Sequence, residues 1–376
     1  MKILIAPDKF KGTLSGAGAA AALAEGILRV LPEAEITAQP IADGGEGTLE
    51  AVLATGGVQQ ETTVRGPIDD TVTASWALTG TTAVIETARA SGLEFVTPTP
   101  ATAAAAHCFG SGQLLAAALD AGATEIVLGV GGSAMTDGGS GALRALGAKV
   151  LDSNGDELPL GGLALARAAR LDLSGLDRRL RDVRLRIAVD VQNPLHGPDG
   201  AAHVFGAQKG ADQGLREELD AALVRWAQVL MEATGVDVQR PGAGAAGGFP
   251  AAFIACTAAA LEPGFDLVAD LLGLDAKLAA ADLVVTGEGS LDSQSEFGKA
   301  PLGLADRALA LGLPVLAVAG RITLSEAALQ GHGVLGSRSL ADIAPSVEAA
   351  MNDAGRYAAD AAEAVSSAYL SLSRQA

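Results

Sequence analysis

The chain is 376 residues long, more than one ordinary hydrophobic core accommodates, so two domains are expected. Its 49% hydrophobic content excludes a disordered chain, and 44 acidic against 26 basic residues, a net charge of −18, argue against nucleic acid or an anionic membrane as partner. Cys108 and Cys256 lie far apart and the four histidines share no ligand spacing, so a reducing cytoplasm with neither disulfide nor zinc site is expected.

No membrane span is expected, because Gly, Pro or charge breaks every apolar stretch short of the roughly 20 residues that cross a bilayer. The opening run MKILIAPDKF reads as a strand rather than a signal peptide, since Pro7 and Asp8 end it early. LSGAGAAAALAEGILRVLP then carries an apolar face at helical spacing, with Ser15 as N-cap and a stop at Pro32. AEITAQPIAD is a second strand, running into DGGEGT and a further helix, LEAVLATGG. From Gln59 to Thr87 the texture turns to Thr- and Val-rich alternation. ETTVRG, DTVTASWALTG and TTAVIETA, separated by glycine turns, predict an antiparallel meander. Alternation then resumes with helix GSGQLLAAALDAG, strand EIVLGVGGS and helix SGALRALG. After a charged, Leu-rich stretch come strand LRIAVDVQNPL and amphipathic helix REELDAALVRWAQVLMEATG. FPAAFIACTAAALEPG reads as one apolar helix, and LVVTGEGS, LGLADRALALG and PVLAVAGR complete a last β-α-β unit. Strands alternating with helices predict an α/β protein with largely parallel sheets.

In open α/β sheets, ligands gather outside the carboxyl ends of the strands. Here APDKFKGT, ADGGEGT, GVGGSAMTDGG, DVQNP and TGEGSLDS all follow strands, and several face helix N-termini, which favour anions. GVGGSAMTDGG combines glycine amides with the hydroxyls of Ser133 and Thr136 and with Asp137, a candidate metal ligand. The strand-end carboxylates Asp8, Asp43, Glu46, Asp137, Asp190, Glu288 and Asp292 stand in loops like those of Lys9, Lys11, Lys209 and Lys299. Such a set suits phosphoryl transfer, which needs metal ligands, charge-neutralising cations and a base. Arg65, Arg89 and Arg321 are candidates to grip a substrate carboxylate. GAGAAG, Gly242 to Gly247, matches the dinucleotide fingerprint, but it follows Pro241 rather than a strand, and no second strand ends in Asp or Glu at the expected distance. No Walker-type loop is present.

IAPDKFKGTLS, ADGGEGT, GVGGSAMTDGG, DVQNPL, FGAQKGA, PGAGAAGG and VVTGEGSLDSQSEFGKAP occur in this order. In these motifs the sequence resembles the bacterial two-domain glycerate kinases, from residue 1 to at least residue 320. The resemblance implies ATP- and Mg²⁺-dependent phosphorylation of D-glycerate, usually at the 2-hydroxyl, by a cytoplasmic monomer or homodimer. It also implies two α/β domains: a Rossmann- or flavodoxin-like parallel-sheet domain formed by both chain ends, and an inserted mixed α/β domain, with the active site in the cleft between them. The strands KILIAPD, LVVTGEGS and PVLAVAG place residues 1–65 and 284–376 in the first domain and 66–283 in the insertion. The chain departs from the pattern at Lys9, where many relatives carry Ser, and in HCFGSGQ, which puts His107, Cys108, Ser111 and Gln113 where TSxGTGE is common. Ala207 replaces a usual Pro and leaves Lys209 in place.

On this reading Asp190, closing the strand LRIAV, is the expected base, with Lys11 and Asn193 completing the catalytic set. Asp8, Asp43, Gly44, Gly45, Arg65 and Ser91 are expected to bind substrate. Gly131, Gly132, Ser133, Lys209, Gly287, Glu288, Ser290 and Lys299 are expected to bind the nucleotide, and Asp137 and Asp292 the magnesium. In competing assignments Asp190 is a metal ligand, with Asp8 or Asp43 as base, or merely caps the turn before Asn193–Pro194. Two other classes stay open. One is an NAD(P)-dependent hydroxy-acid dehydrogenase, resting on Gly242–Gly247; the other is a non-catalytic sugar-acid-binding protein with a kinase-like cleft.

Overall fold

A computed structural model describes residues 1–293, 295 and 300–373. The chain divides into two compact units, one of residues 1–43, 50–56 and 265–376, the other of 44–49 and 57–264. These limits differ from the expected boundaries at 65/66 and 283/284. Val58–Arg65 pairs along its whole length with Thr71–Thr79 and so joins the second unit's sheet. At the other end, the helices Gly264–Leu271 and Leu274–Ala279 fall almost wholly in the first unit.

The first unit is built on a five-stranded parallel sheet, in the order Val334–Ser339, Val315–Ile322, Leu283–Leu291, Lys2–Ile5, Glu35–Ala38. Ile3, Leu4 and Ile5 are almost fully buried, as a central strand covered on both faces requires. Helix Gly16–Val30 starts where Ser15 accepts a hydrogen bond from the Gly18 amide, leaving Pro32 just beyond its end. It packs on the C-terminal helix Ala354–Ser373 through alanines and Gly26, where a Cβ would lie 2.0 Å from the Ala359 carbonyl oxygen. The small residues let two helix backbones approach closely over a core of Ile3, Ile5, Phe10, Leu316 and Val318.

The second unit carries a six-stranded mixed sheet, in the order Ala260–Glu262, Arg184–Ala188, Glu125–Gly129, Thr82–Glu86, Thr71–Thr79, Val58–Arg65. The first four strands run parallel, and the last three, Thr82–Glu86 included, form the expected antiparallel meander. Trp226 on helix Gln213–Thr234 and Phe249 and Phe253 on helix Ala245–Cys256 fill its largest core. FPAAFIACTAAALEPG is not one helix. The helix stops at Thr257, whose backbone is extended, and Ala260–Glu262 becomes an edge strand. The deciding interaction is tertiary: the Arg186 guanidinium, on a buried side chain, donates to both Glu262 carboxylate oxygens at 2.8 and 2.6 Å. A buried cation without such a partner would be costly.

Candidate active site

In the first unit the parallel strands end on one side; Asp8 and Asp43 follow two of them, and Glu288 lies in the last part of a third, Leu283–Leu291. The Asp8 amide donates to the Gly287 carbonyl at 2.9 Å and the Ile41 amide to the Pro7 carbonyl at 3.0 Å, so neighbouring strands fix the Asp8 segment from both sides. Asp8 and Glu288 are both 8% exposed. Burial pushes the Asp8 carboxyl up to about 7, opposed by Lys9 and reinforced by the negative charges of Asp43 and Glu288. The Glu288 carboxylate accepts from Ser295 Oγ at 2.7 Å, and Ser290 Oγ donates to Asp292 at 3.0 Å. Glu288 and Ser290, in the last part of strand Leu283–Leu291, and Asp292 and Ser295 just after it are thus cross-linked. Gly287 has a packing role: a Cβ there would lie 1.8 Å from the Val318 carbonyl oxygen of the next strand. Lys11 is exposed in the loop after the first strand. Lys299 lies outside the described residues.

In the second unit a pocket of about 260 Å³ lies beyond the parallel strands Thr82–Glu86 and Glu125–Gly129. Gly45, Glu46, Glu86, Arg89, Gly131 and Gly132 are among the residues lining it. Gly44 has φ +85°, and a side chain there would meet Ala188 Cβ at 2.5 Å, so only glycine lets this loop settle on the strand ends. Glu86, 4% exposed, accepts from the amides of Gly47 at 3.1 Å and Leu49 at 3.0 Å and from Arg89 Nε at 2.9 Å. Neither Glu86 nor its partnership with Arg89 was singled out from the sequence, although Arg89 itself was a candidate carboxylate grip. The signal was slight: a charge closing an otherwise apolar strand, with an arginine three residues on.

The glycine loop from Gly129 to Gly139 is held from beneath. Lys209, 3% exposed, donates to the Met135 carbonyl at 2.6 Å and to Ser133 Oγ at 3.3 Å. Burial pushes its ammonium down to about 8 while Asp137 opposes the shift. Trp226 Nε1 donates to the Gly138 carbonyl at 2.9 Å, and the Gly138 amide donates to Gly247 at 3.0 Å. Gly242–Gly247 is therefore a packing wedge. Ala246, Gly247 and Gly248 are all left-handed, and a Cβ on Gly247 would lie 2.0 Å from the Met135 carbonyl oxygen. No strand leads into it, and the dehydrogenase reading loses its one support.

Asp137 is fully buried and already occupied: its carboxylate accepts from the amides of Cys108, Gly139 and Gly141 and from Cys108 Sγ. It organises the start of helix Phe109–Asp120 and the glycine loop. The unusual Cys108 is part of this arrangement, and burial beside Asp137 pushes its thiol well above the ordinary range. Ser91, expected at substrate, is fully buried against Ser111 at 2.8 Å; Arg89, two residues earlier, is the one that lines the pocket. Arg65 is not among the pocket residues; its guanidinium lies 4.9 Å from the Phe109 ring centre and 3.4 Å from Asp69. Asp190 is exposed, and one of its oxygens accepts from the Gly264 amide at 2.7 Å. Asn193 donates to the Asp199 carbonyl at 2.8 Å, and its own carbonyl accepts from the Gly244 amide at 2.9 Å.

Buried carboxylates at the ends of a parallel sheet, and a glycine-lined pocket with a hydrogen-bonded arginine beyond the parallel strands of a mixed one, suit an enzyme that handles small anions. The glycerate kinase family profile matches residues 3–370, and the chain belongs to that family. It is 45% identical over 338 residues to the glycerate 2-kinase of Escherichia coli K12, covering 89% of each chain. It is 42% identical over 361 residues to the glycerate kinase of Bacillus subtilis 168, covering 95% of this chain and 94% of the relative. A solved structure from Salmonella typhimurium LT2, of a protein assigned as glycerate kinase 2, superposes with a TM-score of 0.88 at 41% identity, covering both chains fully. The chemistry is phosphoryl transfer to glycerate. Among the described residues no helix is long and apolar enough to cross a membrane.

Proposed function

We propose that the protein transfers the terminal phosphoryl group of ATP to the 2-hydroxyl of D-glycerate, giving 2-phosphoglycerate. The observation that carries the substrate half of this reading is the pocket beside Arg89. Its roughly 260 Å³ falls below the range of about 300–1,000 Å³ usual for drug-sized ligands, which suits an acid of a few carbons. It pairs one oriented guanidinium with the backbone of Gly131 and Gly132. Arg89 would take the substrate carboxylate, replacing Arg65 and Ser91 in the set expected from sequence. Asp190 would accept the proton of the attacking hydroxyl; its bond from Gly264 holds the carboxylate in one orientation.

The same reading assigns magnesium to the first unit. Among the described residues no three His, Cys, Asp or Glu side chains converge closely enough to hold a metal by themselves. Magnesium commonly takes one or two carboxylates and completes its shell with water and substrate phosphates, so this is compatible with a nucleotide-borne ion. Asp8 stays raised by burial and by Asp43 and Glu288, so a cation there would relieve existing repulsion. Asp8, Asp43, Glu288 and Asp292 form the proposed metal-side set, and Asp137 leaves it. When bound, magnesium would neutralise phosphate charge. Phosphorus NMR of the product from D-glycerate and ATP tests the reading: a 2-phosphoglycerate signal is expected, and a 3-phosphoglycerate signal or no product refutes it.

A further inference from the structure

We infer that Glu86 is a positioning residue for substrate recognition, aiming Arg89 into the pocket while holding another part of its wall, the Gly44–Leu49 loop, in register. This rests on the reading of Arg89 as the carboxylate grip. Glu86 ends the strand Thr82–Glu86, so the sheet fixes its backbone through the pairing of Glu86 with Gly129. Its side chain is 5% exposed, whereas that of Arg89 is 33% exposed. A carboxylate this buried is tolerated only when its oxygens are hydrogen-bonded. Here the bonds come from two segments of chain. One oxygen takes both loop amides, Gly47 and Leu49, and the other takes Arg89 Nε.

The division has a chemical consequence. Arg89 presents Nε to Glu86, and a guanidinium held at one edge by a fixed carboxylate has its planar fork oriented. A lysine has no such fork. Charge alone at position 89 is therefore insufficient, and Glu86 contributes to the direction of that charge. The two walls of the pocket are also coupled, because a shift of either one alters the hydrogen bonding of the same carboxylate.

Glu86→Gln separates the two tasks. The amide oxygen still accepts from the loop amides, but the amide nitrogen faces Arg89 Nε as a second donor. The assay is steady-state kinetics with D-glycerate and ATP, alongside a thermal melt. Glu86→Gln is expected to raise the KM for D-glycerate about tenfold to a hundredfold, the range of a lost charge-assisted hydrogen bond, with the KM for ATP within about twofold. Arg89→Lys, a change at a part-exposed side chain, is expected to reproduce that split, which keeps the test decisive if Glu86→Gln fails to fold. In the double variant Glu86→Gln/Arg89→Ala, the KM is expected to match that of Arg89→Ala alone, because Glu86 acts through Arg89. If Arg89→Ala leaves the KM for D-glycerate unchanged, the pocket assignment itself is wrong. If Arg89→Ala raises it but Glu86→Gln or Arg89→Lys does not, or if the double variant is additive, the pocket stands and the positioning role of Glu86 is overturned.

Discussion

Replacing Asp8 by Asn should stabilise the protein at alkaline pH and do nothing at acid pH. The folded Asp8 carboxyl is raised from 3.8 to about 7 by burial first, with Asp43 and Glu288 adding to it. Below pH 3.8 both folded and unfolded chains hold the proton, and Asp8 imposes no ionisation cost. Between 3.8 and about 7 the folded state keeps a proton that the unfolded state has released, so stability falls as pH rises. Above about 7 both states are ionised and the full cost is present. At about 1.4 kcal/mol per pH unit the shift corresponds to about 4 kcal/mol, an upper figure because a cation or structural relaxation would reduce it. Asn keeps an acceptor for the Lys9 amide, which now bonds Asp8 at 2.6 Å, and cannot ionise. Urea unfolding of both proteins at several pH values between 4 and 8.5, followed by far-ultraviolet circular dichroism, measures the difference. Tryptophan fluorescence would be a poor probe, since Trp76 and Trp226 both lie in the second unit. Parallel stability–pH curves for the two proteins would refute the argument.

Added Mg²⁺ should stabilise the wild type more at pH 8 than at pH 5, because ionisation of Asp8 adds a negative charge to the metal-side set; equal shifts at both pH values would show that Asp8 takes no part in holding the cation. Asp190→Asn, which can still accept from Gly264, should lower kcat by about 10²–10⁴-fold with the KM for ATP little changed, and near-wild-type turnover would leave Asp190 a structural role. Lys209→Met removes the bonds to Met135 and Ser133 in the loop whose Gly131 and Gly132 line the proposed D-glycerate pocket, so a loss of roughly tenfold or more in kcat/KM for D-glycerate is expected; unaltered kinetics would show that the glycine loop holds its shape without them. Gly26→Ala puts a methyl 2.0 Å from the Ala359 carbonyl oxygen and should cost about 2 kcal/mol or more, read as a lower Tm, whereas an unchanged melt would mean that the two helices separate freely.

Local signals were sufficient where they were strong. Ser15 before an alanine-rich helix, the Thr- and Val-rich alternation of the meander, and the apolar strands KILI and LVV each carry their structure in a few adjacent residues. The family was legible for the same reason, since its motifs are short, contiguous and in fixed order. Three features were not legible locally. Ala260–Glu262 reads as helix until Arg186 supplies a partner for Glu262 from 76 residues away in sequence. Asp137 has the sequence context of a metal ligand, yet Cys108, 29 residues earlier, folds back to occupy it. GAGAAG has the letters of a cofactor turn, but the chain enters it from helix Gln213–Thr234 rather than from a strand, and its last glycine packs on the Met135 carbonyl. The sequence by itself therefore determined the elements, the α/β class and the enzyme family. Only the tertiary structure decided which polar residues face a pocket and which have their hydrogen bonds spent inside the fold, because that depends on partners brought together from distant parts of the chain.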